Sequence, residues 1–248
     1  MEHSAGFHFY GTLNDFFSVD KKEKSIRYSF NENPAVKDAI EALGVPHTEV
    51  NVVAVNGAAV NFFYHLHNYD EVEVYPANFI TSYNAGSLIP AYSYPIRFIA
   101  DVHVGKLAKA LRITGFDTLY ENNYSDKEIA AIAEAQQRII LTRNKRLLKQ
   151  TTVKWGYWLR SNQPEDQLTE VIKRYNLQDK IQPFTRCLEC NGMIEPVTKN
   201  MVTDKLPVNT ERFFHEFYQC TNCKKLYWKG SHYERMMGNL SKIKMQTL

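Results

Sequence analysis

Four cysteines form two pairs near the end of the chain. They stand as Cys187-x-x-Cys190 and Cys220-x-x-Cys223, with 29 residues between the pairs. A C-x-x-C turn directs two thiolates toward one point, and two such turns complete a tetrahedral zinc site. Two disulfides or a redox centre are the alternatives, but no secretory signal is visible in residues 1–10, and cytosolic thiols stay reduced. Four protein ligands leave no open position, so the sequence predicts a structural zinc bound by all four cysteines.

Lysines and aromatic residues alternate around the second cysteine pair. This combination suits contacts to phosphates together with stacking on bases, although the same rings would also pack a small metal-bound fold. We predict that nucleic acid binds at Lys224, Lys225, Trp228 and Lys229. The pattern continues through further residues of the same types, which are Tyr227, His232, Tyr233 and Arg235.

Three polar residues lie at the ends of predicted strands. Asp101 ends one strand, Asp126 lies in the first turn of a helix, and Asn144 follows another strand. Chemistry in parallel α/β sheets collects at the carboxyl ends of strands, where clustered carboxylates attract Mg²⁺ or Mn²⁺. Such an ion activates water and stabilises charge on a phosphodiester under attack. We predict Asp101, Asp126 and Asn144 as catalytic residues, with Mg²⁺ or Mn²⁺ on the two carboxylates. A helix cap at Asp101 and a first-turn acid at Asp126 are the alternatives.

Six basic residues and no acidic residue occur in residues 143–160. Such a strip beside an acidic metal pocket can hold a nucleic-acid backbone while it is cut; a solvated basic face is the alternative. The cations of this window are Arg143, Lys145, Arg146, Lys149, Lys154 and Arg160. We expect the first four to contact nucleic acid.

Strands and helices alternate in the region that carries the acidic residues and the basic strip. The predicted elements are a strand at 96–100, a helix from Val104 to Gly115, a strand at 116–120, a helix opened by a capping box of Ser125 and Glu128, strands at 138–142 and 153–159, and a helix from Pro164. This alternation predicts an α/β domain with a mostly parallel sheet.

The front of the chain shows strands on both sides of one helix. The predicted elements are strands at 7–10 and 25–30, a helix with Asn33-Pro34 at its N-terminus and Gly44 at its end, and strands at 50–55 and 71–75. Two strands, a helix and two more strands can form one sheet wrapped over the helix, which is a β-grasp, ubiquitin-like arrangement. The stretch that follows is rich in Asn, Ser, Gly, Pro and Tyr without a period, so it is predicted to be a linker.

The composition is that of an ordinary soluble globular protein, since 44% of the 248 residues are hydrophobic and 23% are charged. Disordered, fibrous and membrane-spanning classes are excluded, and a cytoplasmic location is the expectation. The net charge of +3 is unevenly distributed. Residues 1–90 carry 5 basic and 11 acidic side chains, whereas residues 91–248 carry 25 basic and 16 acidic ones. This division favours separate modules, with contacts to a polyanion confined to the second; a chance fluctuation of surface charge is the alternative.

The motifs together resemble the Mut-seven C-terminal RNase family, in which a PIN-like nuclease domain is fused to a zinc ribbon. The resemblance rests on Phe98-Ile99-Ala100-Asp101, Gly115-Phe116-Asp117, Ser125-Asp126, Thr142-Arg143-Asn144, Arg186-Cys187-Leu188-Glu189-Cys190-Asn191-Gly192 and Tyr227-Trp228-Lys229-Gly230-Ser231-His232-Tyr233. The front resembles the ubiquitin-like domain often fused before that nuclease, through Gly44-Val45-Pro46-His47, Val55-Asn56-Gly57 and Val74-Tyr75-Pro76. The implied domains are a β-grasp domain at 1–78, a linker at 79–95, a PIN-like domain at 96–178, a zinc ribbon at 179–236 and a tail at 237–248.

The resemblance implies metal-dependent cleavage of RNA, with Asp101 and Asp126 at two of the family's acidic positions. The third departs, because the family usually has Asp where this chain has Asn144. An asparagine removes one negative charge, so the divalent ion should be held more weakly. His103 could substitute as a ligand or simply lie on a helix surface. Sulfur-carrier proteins also have a β-grasp fold, but they need a free C-terminal Gly-Gly, which Pro76 and the residues after it do not provide.

The sequence therefore predicts a metal-dependent ribonuclease, slow because of Asn144, with structural zinc and catalytic Mg²⁺ or Mn²⁺. RNA is the expected partner, and the ubiquitin-like domain is expected to dock a protein. The alternatives are a catalytically silent RNA- or ribosome-binding protein that keeps the nuclease fold, and a protein-interaction adaptor that acts through the acidic front. A membrane partner is not expected.

Overall fold

The computed structural model describes residues 2–83, 86–203, 206, 210, 213–230 and 238. The chain divides into two compact units, one formed by Met1–Tyr94 with Ser125–Arg160 and the other by Pro95–Tyr124 with Ser161–Leu248. In the described part of the chain, no helix combines the length and the apolar character that crossing a membrane requires.

The front of the chain folds into a five-stranded sheet with one helix. Its elements are β1 (His3–Phe9), β2 (Ile26–Phe30), α1 (Val36–Ala42), β3 (Val50–Val55), β4 (Ala58–Val60) and β5 (Glu71–Pro76). The strand order is β2-β1-β5-β3-β4. The β1 and β5 strands are parallel, and the other neighbouring strands are antiparallel. This is the predicted β-grasp arrangement.

The core of this sheet follows from two periodicities. Phe7 and Phe9 alternate along β1 and are fully buried, while Val36, Ala39 and Ile40 form the buried face of α1. These side chains belong to one hydrophobic cluster. Burying a large aliphatic or aromatic side chain stabilises a fold by about 1.5–3 kcal/mol, so the sheet and the helix stabilise each other.

The structure differs from the sequence prediction at two turns of this domain. Helix α1 begins at Val36 rather than at Asn33-Pro34, because the carbonyl of Pro34 accepts a hydrogen bond from the backbone N–H of Leu66. The additional strand β4 forms a hairpin with β3. Asn56 and Gly57 have φ angles of 51° and 82°, as a tight hairpin turn between twisted strands requires.

The predicted linker is tied to the sheet at several points in its described part. The Tyr83 hydroxyl donates a hydrogen bond to Glu73 on β5. The N–H of Leu88 donates to the carbonyl of Asn51 on β3 at 2.8 Å. A segment of linker composition therefore forms part of the surface of the domain.

The central region alternates strands and helices, as predicted. Its elements are β6 (Phe98–Ala100), α2 (Gly105–Ile113), β7 (Thr118–Leu119), α3 (Asp126–Gln136), β8 (Ile139–Thr142), α4 (Lys145–Leu148), β9 (Gly156–Trp158) and α5 (Pro164–Arg174). The pairs β6–β7 and β8–β9 are parallel. The capping box of Ser125 and Glu128 is present at the start of α3. Gly115 follows α2 with φ +94°, where a Cβ would lie 2.2 Å from the carbonyl oxygen of Gln182, so only glycine fits.

The cysteine-rich region contains three short antiparallel strands. They are β10 (Ile194–Val197), β11 (Phe217–Cys220) and β12 (Leu226–Trp228), with β11 in the middle. Each cysteine pair lies in a turn beside this sheet, which is the organisation of a zinc ribbon. Three of the residues that continue the basic and aromatic pattern, His232, Tyr233 and Arg235, lie outside the described residues, as does the predicted tail apart from residue 238.

Candidate functional site

The four cysteines converge on one point. Their Sγ atoms all lie within 4.8 Å of one another. Sγ of Cys187 is 3.5 Å from that of Cys223, and Sγ of Cys190 is 3.4 Å from that of Cys220. Zinc–sulfur bonds of about 2.3 Å in a tetrahedron place the sulfurs about 3.8 Å apart. All four thiols are free, so they can bind a structural metal such as zinc.

The surroundings of the cluster act differently on its thiols. Burial raises the pKa of Cys220 and of Cys223. Burial alone would raise the pKa of Cys190, but the N–H of Gly192 and the neighbouring thiols lower it to about 6. The Tyr227 hydroxyl lies 3.1 Å from Sγ of Cys187 and accepts a hydrogen bond from the N–H of Leu188 at 3.1 Å. Because the thiolate is the form that binds metal, the lowered pKa of Cys190 favours metal binding at the first knuckle, whereas Cys220 and Cys223 would lose their protons when an ion binds.

Arg112 and Asn191 hold the first knuckle against the segment that contains α2 and β7. The Arg112 guanidinium donates to the carbonyls of Leu188 and Glu189 at 3.0 and 2.8 Å. The side-chain oxygen of Asn191 accepts a hydrogen bond from the N–H of Thr118 at 3.0 Å. Sequence reasoning did not assign these roles, because Arg112 reads as one more cation on a polar helix face.

The predicted nucleic-acid residues of the ribbon lie at its surface. The ammonium groups of Lys225 and Lys229 form ion pairs with Glu189 and Glu216, at 2.6 and 2.7 Å. Lys224 is exposed, and its ammonium group donates to the carbonyl of Thr221 at 2.7 Å. Trp228 is half-buried, with its ring centroid 6.5 Å from that of Phe214. Water screens these exposed ion pairs, so they are weak and can exchange for phosphate.

Asp126 and Asn144 lie in hydrogen-bond contact within the first compact unit. Asp126 is the first residue of α3, and Asn144 is the N-cap of the short helix α4 that follows β8. Nδ2 of Asn144 donates to Oδ2 of Asp126 at 2.9 Å. Two residues predicted at the ends of different elements are therefore brought together.

The orientation of the Asn144 amide is fixed on both sides. Its Oδ1 accepts a hydrogen bond from the N–H of Arg146 at 3.0 Å. Turning the amide over would place a donor against that N–H and an oxygen against the Asp126 carboxylate. The oxygen of Asn144 is thus occupied as a helix cap. Oδ1 of Asp126 has no hydrogen-bond partner among the described residues.

Asp101 belongs to the second compact unit. It follows β6 directly, is 2% exposed, and its Oδ1 accepts a hydrogen bond from the N–H of His103 at 3.2 Å. His103 itself is exposed. A buried carboxylate after a parallel strand suits the hard oxygen chemistry of Mg²⁺ or Mn²⁺. Within the first unit, the open oxygen of Asp126 suits the same ions, whereas the side-chain oxygen of Asn144 is occupied by the N–H of Arg146.

Four residues of the basic strip fall into two groups, the exposed Arg143 and Arg146 and the engaged Lys145 and Lys149. Arg143 and Arg146 are exposed, and their guanidinium groups have no partner in the described part of the chain. Nζ of Lys145 lies 4.8 Å from the ring centroid of Phe16 and 4.2 Å from that of Trp158. The ammonium group of Lys149 donates a hydrogen bond to the carbonyl of Glu41. Lys145 and Lys149 therefore both contact the β-grasp domain.

Arg160 also contacts the β-grasp domain. Its two terminal nitrogens lie 3.2 and 3.1 Å from the carboxylate oxygens of Glu49, which is 2% exposed. Burial would lower the pKa of Arg160, but the Glu49 carboxylate raises it overall. A two-pronged pair of this kind fixes geometry as well as charge. Half of the predicted strip therefore binds the front domain of the chain itself.

Two family models match the chain. The model described as Mut7-C RNAse domain matches residues 96–240, which is more than half of the chain, and the model described as Mut7-C ubiquitin matches residues 2–80. Comparisons with curated proteins and with solved structures give no match. Both matches agree with the resemblance drawn from the motifs and with the β-grasp topology of the front.

Proposed function

Because the chain belongs to the Mut7-C RNAse domain family and carries the ubiquitin-like domain of that family in front, we propose that it binds RNA and hydrolyses its phosphodiester bonds slowly, with Mg²⁺ or Mn²⁺. The observation that carries this proposal is the Asp126–Asn144 pair. A carboxylate with one open oxygen lies at the start of α3, and the exposed Arg143 precedes its partner in sequence.

The predicted carboxylates are Asp101 and Asp126. A bound divalent cation would activate water and stabilise charge on the phosphodiester. Asn144 keeps Asp126 in place through its N–H, and it caps α4 through its oxygen. A site with two carboxylates in place of three holds the cation more weakly, since ligand charge sets much of the affinity of such sites. We therefore expect cleavage to be slow.

RNA binding is assigned to the exposed cations. Arg143 and Arg146 are available for phosphates, as is Lys224 on the ribbon. Structural zinc at the four cysteines would hold the ribbon together. Lys145 and Lys149 contribute less than the sequence predicts, because their ammonium groups are engaged by the β-grasp domain. That domain remains the proposed docking site for a protein.

The test is a cleavage assay on single-stranded and structured RNA with Mn²⁺. We expect Asp126→Asn to lower the rate at least about tenfold and Asn144→Asp to raise it by about tenfold, since the change adds a charged ligand. Glu165→Gln is the matched control, because Glu165 is an acidic residue in the first turn of α5, as Asp126 is in α3. The cleavage rate of this variant should equal that of the wild type. Equal rates in the wild type and Asp126→Asn would contradict the proposal.

A second candidate is an RNA-binding protein without catalysis. It is favoured by the two hydrogen bonds of the Asn144 amide, which donates to Asp126 and accepts from the N–H of Arg146 without any ion. This candidate predicts salt-sensitive RNA binding with no cleavage in Mn²⁺, for the wild type and for Asn144→Asp alike. Weakened RNA binding in Arg143→Ala with unchanged binding in Lys154→Ala would support the assigned surface in either case.

A further inference from the structure

A polar cavity of about 800 Å³ lies within the second compact unit. Its size is that of a pocket for a small molecule. It is bordered by the polar face of α2, the residues after β7 and the start of α5. The residues that matter here are Lys106, Lys109, Arg112, Tyr120, Asn162 and Gln167.

Arg112 is a buried cation that lines this cavity. It is 3% exposed, and its Nε donates to the carbonyl of Thr118 at 2.9 Å while its Nη1 donates to two carbonyls of the first knuckle. Its Nη2 has no hydrogen-bond partner in the described part of the chain. The charges of Cys187, Cys190, Glu121 and Glu189 act on it from a distance, but no described carboxylate forms an ion pair with it. Since a buried charge is costly unless it is paired, an anion in the cavity would complete its surroundings.

Gln167 is the second buried polar side chain of the cavity. It is 4% exposed, and its Nε2 donates to the carbonyl of Ser161 at 2.9 Å. That bond turns Oε1 the other way, where it has no hydrogen-bond partner among the residues described. Arg112 and Gln167 thus offer an unused donor and an unused acceptor to one cavity, although both side chains are more than nine-tenths buried.

The charges around the cavity favour an anion. Lys106 and Lys109 are exposed on α2 and form no ion pair within the described ranges. Two acids also line the cavity, Glu121 and Glu189, but Glu189 is paired with Lys225 at 2.6 Å. Three cations therefore face one acid that is not already neutralised.

Tyr120 supplies a flat wall. A Cβ at position 105 would lie 2.4 Å from its ring, so the ring rests directly on Gly105, and its hydroxyl donates to the carbonyl of Val102 at 3.3 Å. Both contacts fix the hydroxyl end of the ring, and an aromatic ring positioned in this way is a suitable surface for stacking a nucleobase.

We propose that this cavity binds a nucleoside 5′-monophosphate unit, either as a free nucleotide or as the 5′-phosphorylated end of an RNA. The phosphate lies against Arg112, Lys106 and Lys109, the base stacks on Tyr120, and a base or ribose donor reaches Oε1 of Gln167. This proposal depends on the proposed function only for one of its two ligands, the 5′-phosphorylated end of an RNA.

The test uses the full-length, zinc-loaded chain without added Mg²⁺ or Mn²⁺. Fluorescence anisotropy compares one oligoribonucleotide, labelled at its 3′ end, with a 5′-phosphate or a 5′-hydroxyl. We expect the 5′-phosphate to tighten binding about tenfold, since charge-assisted hydrogen bonds are strong. Lys109→Ala should remove most of this preference, and Lys173→Ala, which removes an exposed lysine of α5 outside the cavity, should keep it.

Competition distinguishes the two sources. AMP that displaces the phosphorylated RNA, with adenosine inert, supports the site for both sources. Direct binding of AMP without any preference for the RNA 5′-phosphate supports the free nucleotide alone. Gln167→Leu should weaken the binding of AMP about threefold without weakening the binding of inorganic phosphate. Equal binding of both RNAs together with no binding of AMP would overturn the proposal, as would a preference that survives Lys109→Ala and Lys106→Ala. Because cleavage is not measured, a failed nuclease assay leaves this result unaffected.

Discussion

The four cysteines and the Asp126–Asn144 pair both bring residues of metal-ligand type together, but their atoms face each other differently. In the cysteine cluster every group is a sulfur, with closest distances of 3.4 and 3.5 Å. In the other pair an amide N–H faces a carboxylate oxygen at 2.9 Å. Thiolates at such distances repel one another until a cation lies between them, whereas the amide and the carboxylate already attract.

The comparison shows that residue types alone do not establish a need for metal. What matters is whether the converging atoms are all acceptors or whether a donor is among them. An aspartate at position 144 would place two carboxylates in contact, and a divalent ion would then relieve their repulsion. In this chain the amide of Asn144 donates a hydrogen bond to Asp126 and adds no second negative charge.

The largest expected effect is that of removing one thiolate from the cluster. Cys220→Ser should lower bound zinc from about one ion per chain to nearly none and destabilise the ribbon by several kcal/mol, because metal binding supplies much of the folding free energy of so small a sheet. Elemental analysis gives the zinc content, and chemical denaturation gives the stability.

Thr221→Ser is the matched control for that variant. It lies next to the ligand, and its hydroxyl, which donates to the carbonyl of Met193 at 3.3 Å, is kept. A Cys220→Ser chain that retains a full zinc ion would contradict this prediction. A wild type that contains no zinc after purification in its presence would do the same.

The difference between the two regions also explains what the sequence could reveal. The cysteine spacing and the capping box of Ser125 and Glu128 are local patterns whose geometry follows from a few adjacent residues. The β-grasp sheet was predictable because the alternation of hydrophobic residues along its strands marks the buried face. The short strand β4 was not predicted, since two alanines and a valine are too few to show this alternation.

Contacts between distant residues could not be predicted in this way. Glu49 and Arg160 are 111 residues apart, and each reads as an ordinary surface charge until the fold joins them. Arg112 reaches carbonyls 76 and 77 residues away. The basic strip was predicted from the sequence, but the engagement of Lys145 and Lys149 depends on where Phe16 and Glu41 lie, which no local pattern contains.

The second prediction concerns the carboxylate side of the comparison. Asn144→Asp should destabilise the metal-free protein by about 1–2 kcal/mol, because it replaces a hydrogen bond with like-charge contact. Mn²⁺ should restore most of this loss in the variant and leave the wild type nearly unchanged. Thermal unfolding with and without Mn²⁺ measures both effects.

Asn200→Asp adds the same charge at an exposed position and controls for net charge. It should behave as the wild type in both conditions. If Mn²⁺ raised the unfolding temperature of the wild type as much as that of Asn144→Asp, the amide would not be standing in for a cation, and the two regions would be alike in their need for metal.

The smallest expected effect concerns a carboxylate that is satisfied by neutral donors only. Glu73 accepts hydrogen bonds from the hydroxyls of Tyr83, Tyr10 and Tyr75, the last two at 2.9 Å each. The Tyr83 hydroxyl, followed by the other two, lowers the pKa of Glu73 below its ordinary value of 4.5. Because the folded-state pKa is depressed, the ionised group stabilises the fold above that ordinary value, and the stabilisation is lost as the pH falls through the lowered pKa.

Glu73→Gln tests this sign with nearly unchanged shape. At about pH 6 the variant should be less stable than the wild type by about 0.5 kcal/mol, a small amount because water screens a carboxylate that is only half-buried. As the pH falls below the ordinary value of 4.5 and through the lowered pKa, the difference should shrink, since the wild-type carboxylate becomes protonated. Urea unfolding at about pH 6 and at values below 4.5 measures the change in the stability difference. The exposed Glu32→Gln is the control. A difference that grew toward low pH would mean that the three hydroxyls favour the protonated form of Glu73, which would contradict the prediction.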